Sequence, residues 1–397
     1  MYLTLIRLKK ENAYAASIID AQGNIQIAII NDAAKVNDLV TEYRKNILTK
    51  DNKLLSATLR SLHEKVWKPI QSKLSNDTKI VFLGAEGMLN FVSFATLLDE
   101  KNEFLCNTFD FRYIGSGRDL LKKTDQPKPK KIAIYADPDF SSEIILTKSF
   151  GMRTLDLGDA EIQLDPLPGS RQEAQVVSEA ASNAGLSSEI QMGEEASEQN
   201  LAKIQAPSIL HLATHGFFVG LSDDTKSASR GMKPVSTTQT PPTIINPMRQ
   251  GAITLAGAQN TLRKWDTGSY PDPANDGILT AEEVAGINLA GTWLVVLSSC
   301  DSGKGMIQAG EGVFGLRRGF LIAGARNLLM TLWPVSDKFG PYFMEDFYKE
   351  VLVTNNPAES LAKVQRDWLN KLYKEKDLSS AIGLAGPFVM AVTGSNH

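Results

Sequence analysis

Cysteine is almost missing from this sequence. Cys106 and Cys300 are the only two in 397 residues, nearly two hundred positions apart, so neither a disulfide framework nor a zinc ribbon can be built. Two isolated thiols fit a reducing compartment. Charge imbalance is also lacking: the net charge is −3, and nothing global draws the chain to nucleic acid or an anionic membrane. No apolar run approaches the roughly 20 residues that a membrane span needs. Residues 1–10 lack the basic start and apolar stretch of a secretory leader. No repeat is visible at periods of about 20–50 residues. These absences lead to the expectation of a cytoplasmic protein with no direct nucleic-acid or membrane partner.

What is present is ordinary globular material. Apolar residues make up 43% and charged residues 22%, and the length is enough for two or three domain-sized units. Residues 2–8 and 14–30 cluster apolar side chains around Asp20–Asn24, where Gly and Asn mark the turn of a two-stranded hairpin. Residues 33–75 read as helices, with Val36, Leu39, Val40 and Tyr43 at three-to-four spacing. Residues 79–84 and 111–114 read as strands. Residues 121–131 carry five lysines with Pro127 and Pro129, the composition of a linker, placed at 122–131.

Beyond the linker, strands and helices alternate. Strands are expected at 131–136, 208–213, 293–298 and 327–333. Helices are expected at 171–184, 279–285, 312–321 and 341–351. Ser170 with Glu173, and Thr280 with Glu283, have capping-box spacing. Such alternation predicts an α/β fold with a mainly parallel sheet covered on both faces. Residues 221–248 interrupt it with a long polar loop lacking any apolar period.

Two residues stand where α/β folds put their chemistry. Cys300 ends the apolar strand beginning at Trp293, at the carboxyl edge of the sheet, and Gly303 and Gly305 follow to let the backbone turn. His215 ends the run from Ile209 and is followed by Gly216. Adjacent parallel strands would bring both to one edge, where an imidazole can take the thiol proton. The N–H groups of Gly216 and Cys300 are candidates to stabilise an oxyanion. A strand-end cysteine is commonly a small core residue. Two of the four histidines falling in one strand favours function instead.

Other patterns are weaker. His211 and His215 share the spacing of a zinc helix, but the glutamate of that motif is absent, and a strand holds the pair roughly 13 Å apart. No metal is expected, and His211 reads as a structural neighbour. Gly310–Gly315 matches G-x-G-x-x-G, with Asp337 at a ribose-acid distance, but nine residues separate it from Cys300, whereas a dinucleotide turn follows its strand directly. Cys106 reads as a packed thiol.

Ala213–Gly216, Ser298–Gly303, Gly310–Phe320, Leu167–Ala174, Leu279–Val284 and Leu332–Asp337 together resemble the CHAT domain family. These are caspase-like, separase-related proteins often attached to tetratricopeptide repeats in bacteria. The resemblance implies a caspase-like α/β/α sandwich over 132–397, with 221–248 as a loop insertion. Residues 1–121, where 83–94 is also similar, would form an N-terminal α/β supporting region without a dyad, or belong to the same continuous sheet. It implies a cysteine peptidase with His215 and Cys300 as dyad, no cofactor, a protein or peptide substrate, and room for a regulatory protein partner in signalling or defence. Asp137, Asp139, Asp337 and Ser298 are the candidate substrate-binding residues, and a carboxylate among them would prefer Arg or Lys. Two other classes stay open: a signalling module that binds without cutting, and a nucleotide-binding α/β protein.

Overall fold

In a computed structural model of the chain, residues 2–8, 12–122, 128–142, 163–218, 248, 251–266, 275–300 and 312–394 are described. The strands are β1 (Tyr2–Leu8), β2 (Ala13–Ile19), β3 (Ile25–Asn31), β4 (Ile80–Gly84), β5 (Asp110–Tyr113), β6 (Lys131–Pro138), β7 (Ser187–Gly193), β8 (Ile209–Phe218), β9 (Gly251–Thr254), β10 (Ile278–Thr280), β11 (Leu294–Cys300), β12 (Asn327–Thr331) and β13 (Phe388–Val392). The helices are α1 (Ala33–Thr49), α2 (Asn52–Leu62), α3 (Lys68–Gln71), α4 (Pro168–Asn183), α5 (Glu198–Ala202), α6 (Ala258–Asp266), α7 (Ala281–Val284), α8 (Gly312–Ala323), α9 (Gly340–Thr354), α10 (Pro357–Glu375) and α11 (Leu378–Ala385).

One sheet carries both regions. Five strands run parallel in the order β7-β6-β8-β11-β12. β13 is antiparallel to β12 and parallel to β5, which continues through β4 to β1. β2 and β3 then extend the edge as antiparallel strands. The sheet therefore consists of two parallel blocks of opposite direction that meet between β12 and β13. The fold is α/β with a largely parallel sheet, as the alternation of elements predicted.

The β12–β13–β5 junction is short on one side and reinforced from above. β13 and β5 share the single register pair Ala391–Tyr113. α10 lies over it. Gln365 donates to the carbonyls of Ala385 and Phe388, while Arg366 donates to Cys106 O and pairs with Asp110 at 2.5 Å. Phe343 of α9 stacks on Phe388 at 3.9 Å. The main core is continuous, taking in Trp67 from the first region and Trp293 from the second.

Strands of the parallel block read as near-continuous apolar runs because both faces are covered. α4 packs on β6, β7 and α9, while α8 packs on α7 and reaches β8, β9 and β12. A smaller apolar cluster lies apart from the main core: Phe140, Leu164, Leu167, Ala252, Ala258, Leu262 and Ile278.

Three local expectations change. The N-terminal hairpin has three strands: Asp20–Asn24 joins β2 to β3 as expected, and β1 lies on the inner side of β2, between it and β4. α4 begins at Pro168, three residues before the expected start at Arg171, because Pro168 supplies a first-turn φ that needs no N–H partner. Ser170 and Glu173 therefore form no capping box, whereas Thr280 and Glu283 do. β8 runs five residues past Ala213, because β9 pairs with Gly216–Phe218. The insertion at 221–248, apart from residue 248, lies outside the described residues, as do 301–311 with Gly303, Gly305 and Gly310.

Candidate active site

The site is built on the neighbouring parallel strands β8 and β11. Seven register pairs join them, from Ile209–Leu294 to His215–Cys300. The two residues singled out by sequence are thus direct register partners, one strand spacing of about 4.8 Å apart in backbone terms. Cys300 ends β11, while His215 lies inside β8, three residues before its end.

His215 is held from two directions. Its Nε2 lies 2.6 Å from the carbonyl oxygen of Asp165. An oxygen acceptor there requires Nε2 to carry the proton, which leaves Nδ1 as the basic nitrogen. The Phe140 ring stacks on the imidazole at 5.0 Å between centroids, 23° from parallel. The His215 carbonyl accepts from Thr254 Oγ1 at 3.2 Å, and Thr214 Oγ1 donates to Thr254 O at 2.5 Å, so β9 fixes this part of β8 by side chains as well as by pairing.

The segment bearing Asp165 is tied down at both ends. Leu164 N–H donates to Gln259 Oε1 of α6 at 2.6 Å. At the other end the Leu167 carbonyl accepts from Ser170 N–H and Oγ–H. Leu164 and Leu167 are both buried in the smaller apolar cluster, which also contains Phe140.

The acidic candidates occupy distinct places. Asp137 is the bulge residue of β6, with left-handed backbone (φ 45°), and its carboxylate takes a two-pronged contact from Arg171 at 2.6 and 2.7 Å. Its N–H donates to Ser170 Oγ at 2.8 Å. Asp139 is exposed, and its carboxylate accepts from Ser141 N–H and Oγ–H. Asp337 follows β12 and accepts the Gly169 N–H of α4 at 2.7 Å. Ser298 is half-buried, paired in register with Ala213, and Gly216 pairs with Ile253 of β9.

The other histidine and the other cysteine fall away from the His215–Cys300 pair. His211 is fully buried, with Nδ1 3.0 Å from Tyr348 Oη. Its Nε2 is 2.9 Å from Glu173 Oε1 but misaligned for a hydrogen bond, so this contact is one of proximity. Burial pushes the Tyr348 hydroxyl well above its ordinary range, with the Glu173 carboxylate adding to the effect. Burial likewise raises the Cys106 thiol to about 12, against a smaller opposing effect of Arg366. Among the described residues, no group of three or more His, Cys, Asp or Glu is placed to hold a metal, and no helix is long and apolar enough to cross a membrane.

Sequence reasoning missed the Asp165 carbonyl and Phe140. A main-chain carbonyl has no side-chain signature. Phe140 did carry a signal, as a large ring next to Asp139 just past β6.

Tetratricopeptide repeat protein 28 of Mus musculus is 26% identical over 330 residues, covering 80% of this chain and 13% of its own length. Its Homo sapiens counterpart is 26% identical over 305 residues, covering 74% and 12%. The chain thus spans about an eighth of the length of these relatives. Among solved structures, the Saccharomyces cerevisiae separase–securin complex aligns with a TM-score of 0.41 at 13% identity, covering 84% of this chain and 17% of that one. Gingipain R, described as an Arg-specific cysteine proteinase, aligns with a TM-score of 0.43 at 8% identity, covering 91% and 75%. The model of the CHAT domain matches residues 56–379.

Proposed function

The chain belongs to the CHAT domain family, and from that premise we propose that it is a cysteine endopeptidase whose dyad is His215 and Cys300. The observation that carries this reading is their register pairing across β8 and β11, together with the Asp165 carbonyl that sets the His215 tautomer. Nδ1 takes the thiol proton, and the thiolate attacks the scissile carbonyl. The resulting oxyanion is stabilised by the N–H groups of Gly216 and Cys300. The imidazolium returns its proton to the leaving amine, and the acyl-enzyme is then hydrolysed by a water that His215 deprotonates. Substrate binds extended, by main-chain hydrogen bonds along a sheet edge.

Finer properties belong to the same proposal. The enzyme is regulated, by a protein partner or by the 221–248 loop that follows β8 in sequence, as suits signalling or defence. Its preference is for Arg or Lys before the cut. Asp139 suits that role best, being exposed and adjacent to the Phe140 ring on His215. Asp137 is engaged by Arg171, and Asp337 by Gly169.

The test is incubation of wild type and Cys300→Ala with a cell lysate, followed by sequencing of new protein N-termini. Termini that form with wild type alone, after Arg or Lys, are expected. Wild-type cuts after acidic or small apolar residues would remove the basic preference. Equal termini in both samples would remove the peptidase and leave a binding module.

A further inference from the structure

His215 depends on a main-chain carbonyl for its orientation, so its geometry is only as good as the backbone around Asp165. That backbone is a short strap. Its first anchor is the Leu164 N–H on Gln259 Oε1. Its second is the first turn of α4, where Ser170 binds the Leu167 carbonyl and Asp337 binds the Gly169 N–H at 2.7 Å. Asp165 lies between the two anchors.

The second anchor is unusually close. A Cβ added at Gly169 would lie 2.0 Å from the Asp337 carbonyl oxygen and 2.6 Å from its Cγ. The N-terminal N–H groups of a helix have no partner within the helix, and a carboxylate there also meets the positive end of the helix dipole. Asp337 supplies both. It comes from the segment after β12, the strand next to β11. The contact therefore links the catalytic sheet to the start of α4, and through the strap to His215.

We propose that Asp337 is a positioning residue of the dyad: by capping α4 through Gly169 it fixes the Leu164–Gly169 strap, and so holds the Asp165 carbonyl on His215 Nε2. This rests on the dyad reading above. It assigns Asp337 a role different from contact with a basic substrate side chain, and the two roles separate by experiment. Positioning needs an acceptor atom, which asparagine retains. Recognition of Arg or Lys needs the negative charge, which asparagine lacks.

Two readouts on the full-length chain test this without a known substrate. The first is the rate of Cys300 alkylation by iodoacetamide near pH 6.5, resolved by peptide mass. A free thiol is about 1% thiolate two pH units below its ordinary pKa of about 8.5, so loss of pairing can slow the reaction by up to about a hundredfold. The second is the proton resonance of His215 Nε2–H in histidine-labelled protein. In Asp337→Ala, alkylation is expected to slow about tenfold or more and the resonance to shift, because small displacements in such sites are costly. Asp337→Asn is expected to restore both. Unchanged rate and resonance in Asp337→Ala would overturn the proposal, and so would an Asp337→Asn protein as slow as Asp337→Ala. A wild-type Cys300 that reacts as a free thiol at every pH would defeat the dyad reading. The resonance alone then decides the positioning claim, upheld by a shift in Asp337→Ala and refuted without one. Should Asp337→Ala fail to fold, Gln259→Ala releases the other anchor and is read by the same two signals, with no change counting against the strap.

Discussion

Gly169→Ala sets two physical effects against each other, and they differ in sign. On helix propensity alone, alanine in α4 should stabilise by about 1 kcal/mol over glycine. The contact says the opposite. Ordinary Cβ contacts begin at 3.4 Å and the new Cβ would lie 2.0 Å from Asp337 O, so backbone must move by about 1.4 Å. Overpacking of that kind costs about 1–3 kcal/mol. Displacement also loses the Gly169 N–H bond to the Asp337 carboxylate, a charged-acceptor bond worth about 1.5–3 kcal/mol. Less the propensity gain, the net is a destabilisation of about 1.5–5 kcal/mol. The assay is the urea midpoint of the variant, read beside Gly383→Ala. Gly383 sits inside α11, and beyond its chain neighbours and its own helix backbone nothing lies within 4 Å of the added Cβ, so there propensity acts alone and the midpoint should rise. A Gly169→Ala protein as stable as wild type, or more so, refutes the argument from the contact.

Two further outcomes follow from buried groups. Burial, then Asp276, then Glu283 hold the Glu198 carboxyl well above its ordinary 4.5, while its Oε2 accepts the Gly277 N–H. A carboxyl raised in the folded state contributes stability that is present below its unfolded pKa and lost as pH climbs through the folded one. Glu198→Gln, which stays neutral and keeps an acceptor for Gly277, should therefore gain melting temperature over wild type progressively from about pH 4.5 upward; a gap that is constant or shrinks with pH contradicts this. Burial pushes the Cys106 thiol to about 12, so native Cys300→Ala protein should take up no iodoacetamide at pH 8 until unfolded, and rapid labelling would show the thiol to be accessible.

The parallel core was legible because its strands are buried on both faces and so read as plain apolar runs. Trp293–Ser298 is an example, and β11 departs from it by only a residue or two at each end. The neighbouring placement of His215 and Cys300 was legible for the same reason, since each lies at or beyond the end of such a run. The extension of β8 was not: its partner, Gly251–Thr254, follows a long polar stretch, and four residues carry little periodic signal. The start of α4 was misread at Ser170 because a serine three residues before a glutamate looks the same whether or not the helix has already begun. Here Ser170 Oγ is spent on Leu167 O and Asp137 N–H, and Glu173 is buried beside His211. The continuity of the sheet across 122–131 depends on β13 returning to β5 through one register pair, which no local pattern announces.

The placement of β13 has a consequence during synthesis. It is the last of the described strands in chain order, yet it sits in the interior of the sheet between β12 and β5. While residues 388–392 are still within the ribosome, β12 and β5 each present an open edge, and the two parallel blocks have no strand between them. Unpaired edges of this kind are where nascent chains associate wrongly. Pairings made across such long sequence separations also close slowly. The join between the N-terminal strands and the block that carries the candidate site is thus a late, post-emergence event, and a truncation that removes β13 should yield insoluble material even though every residue of the candidate site is present.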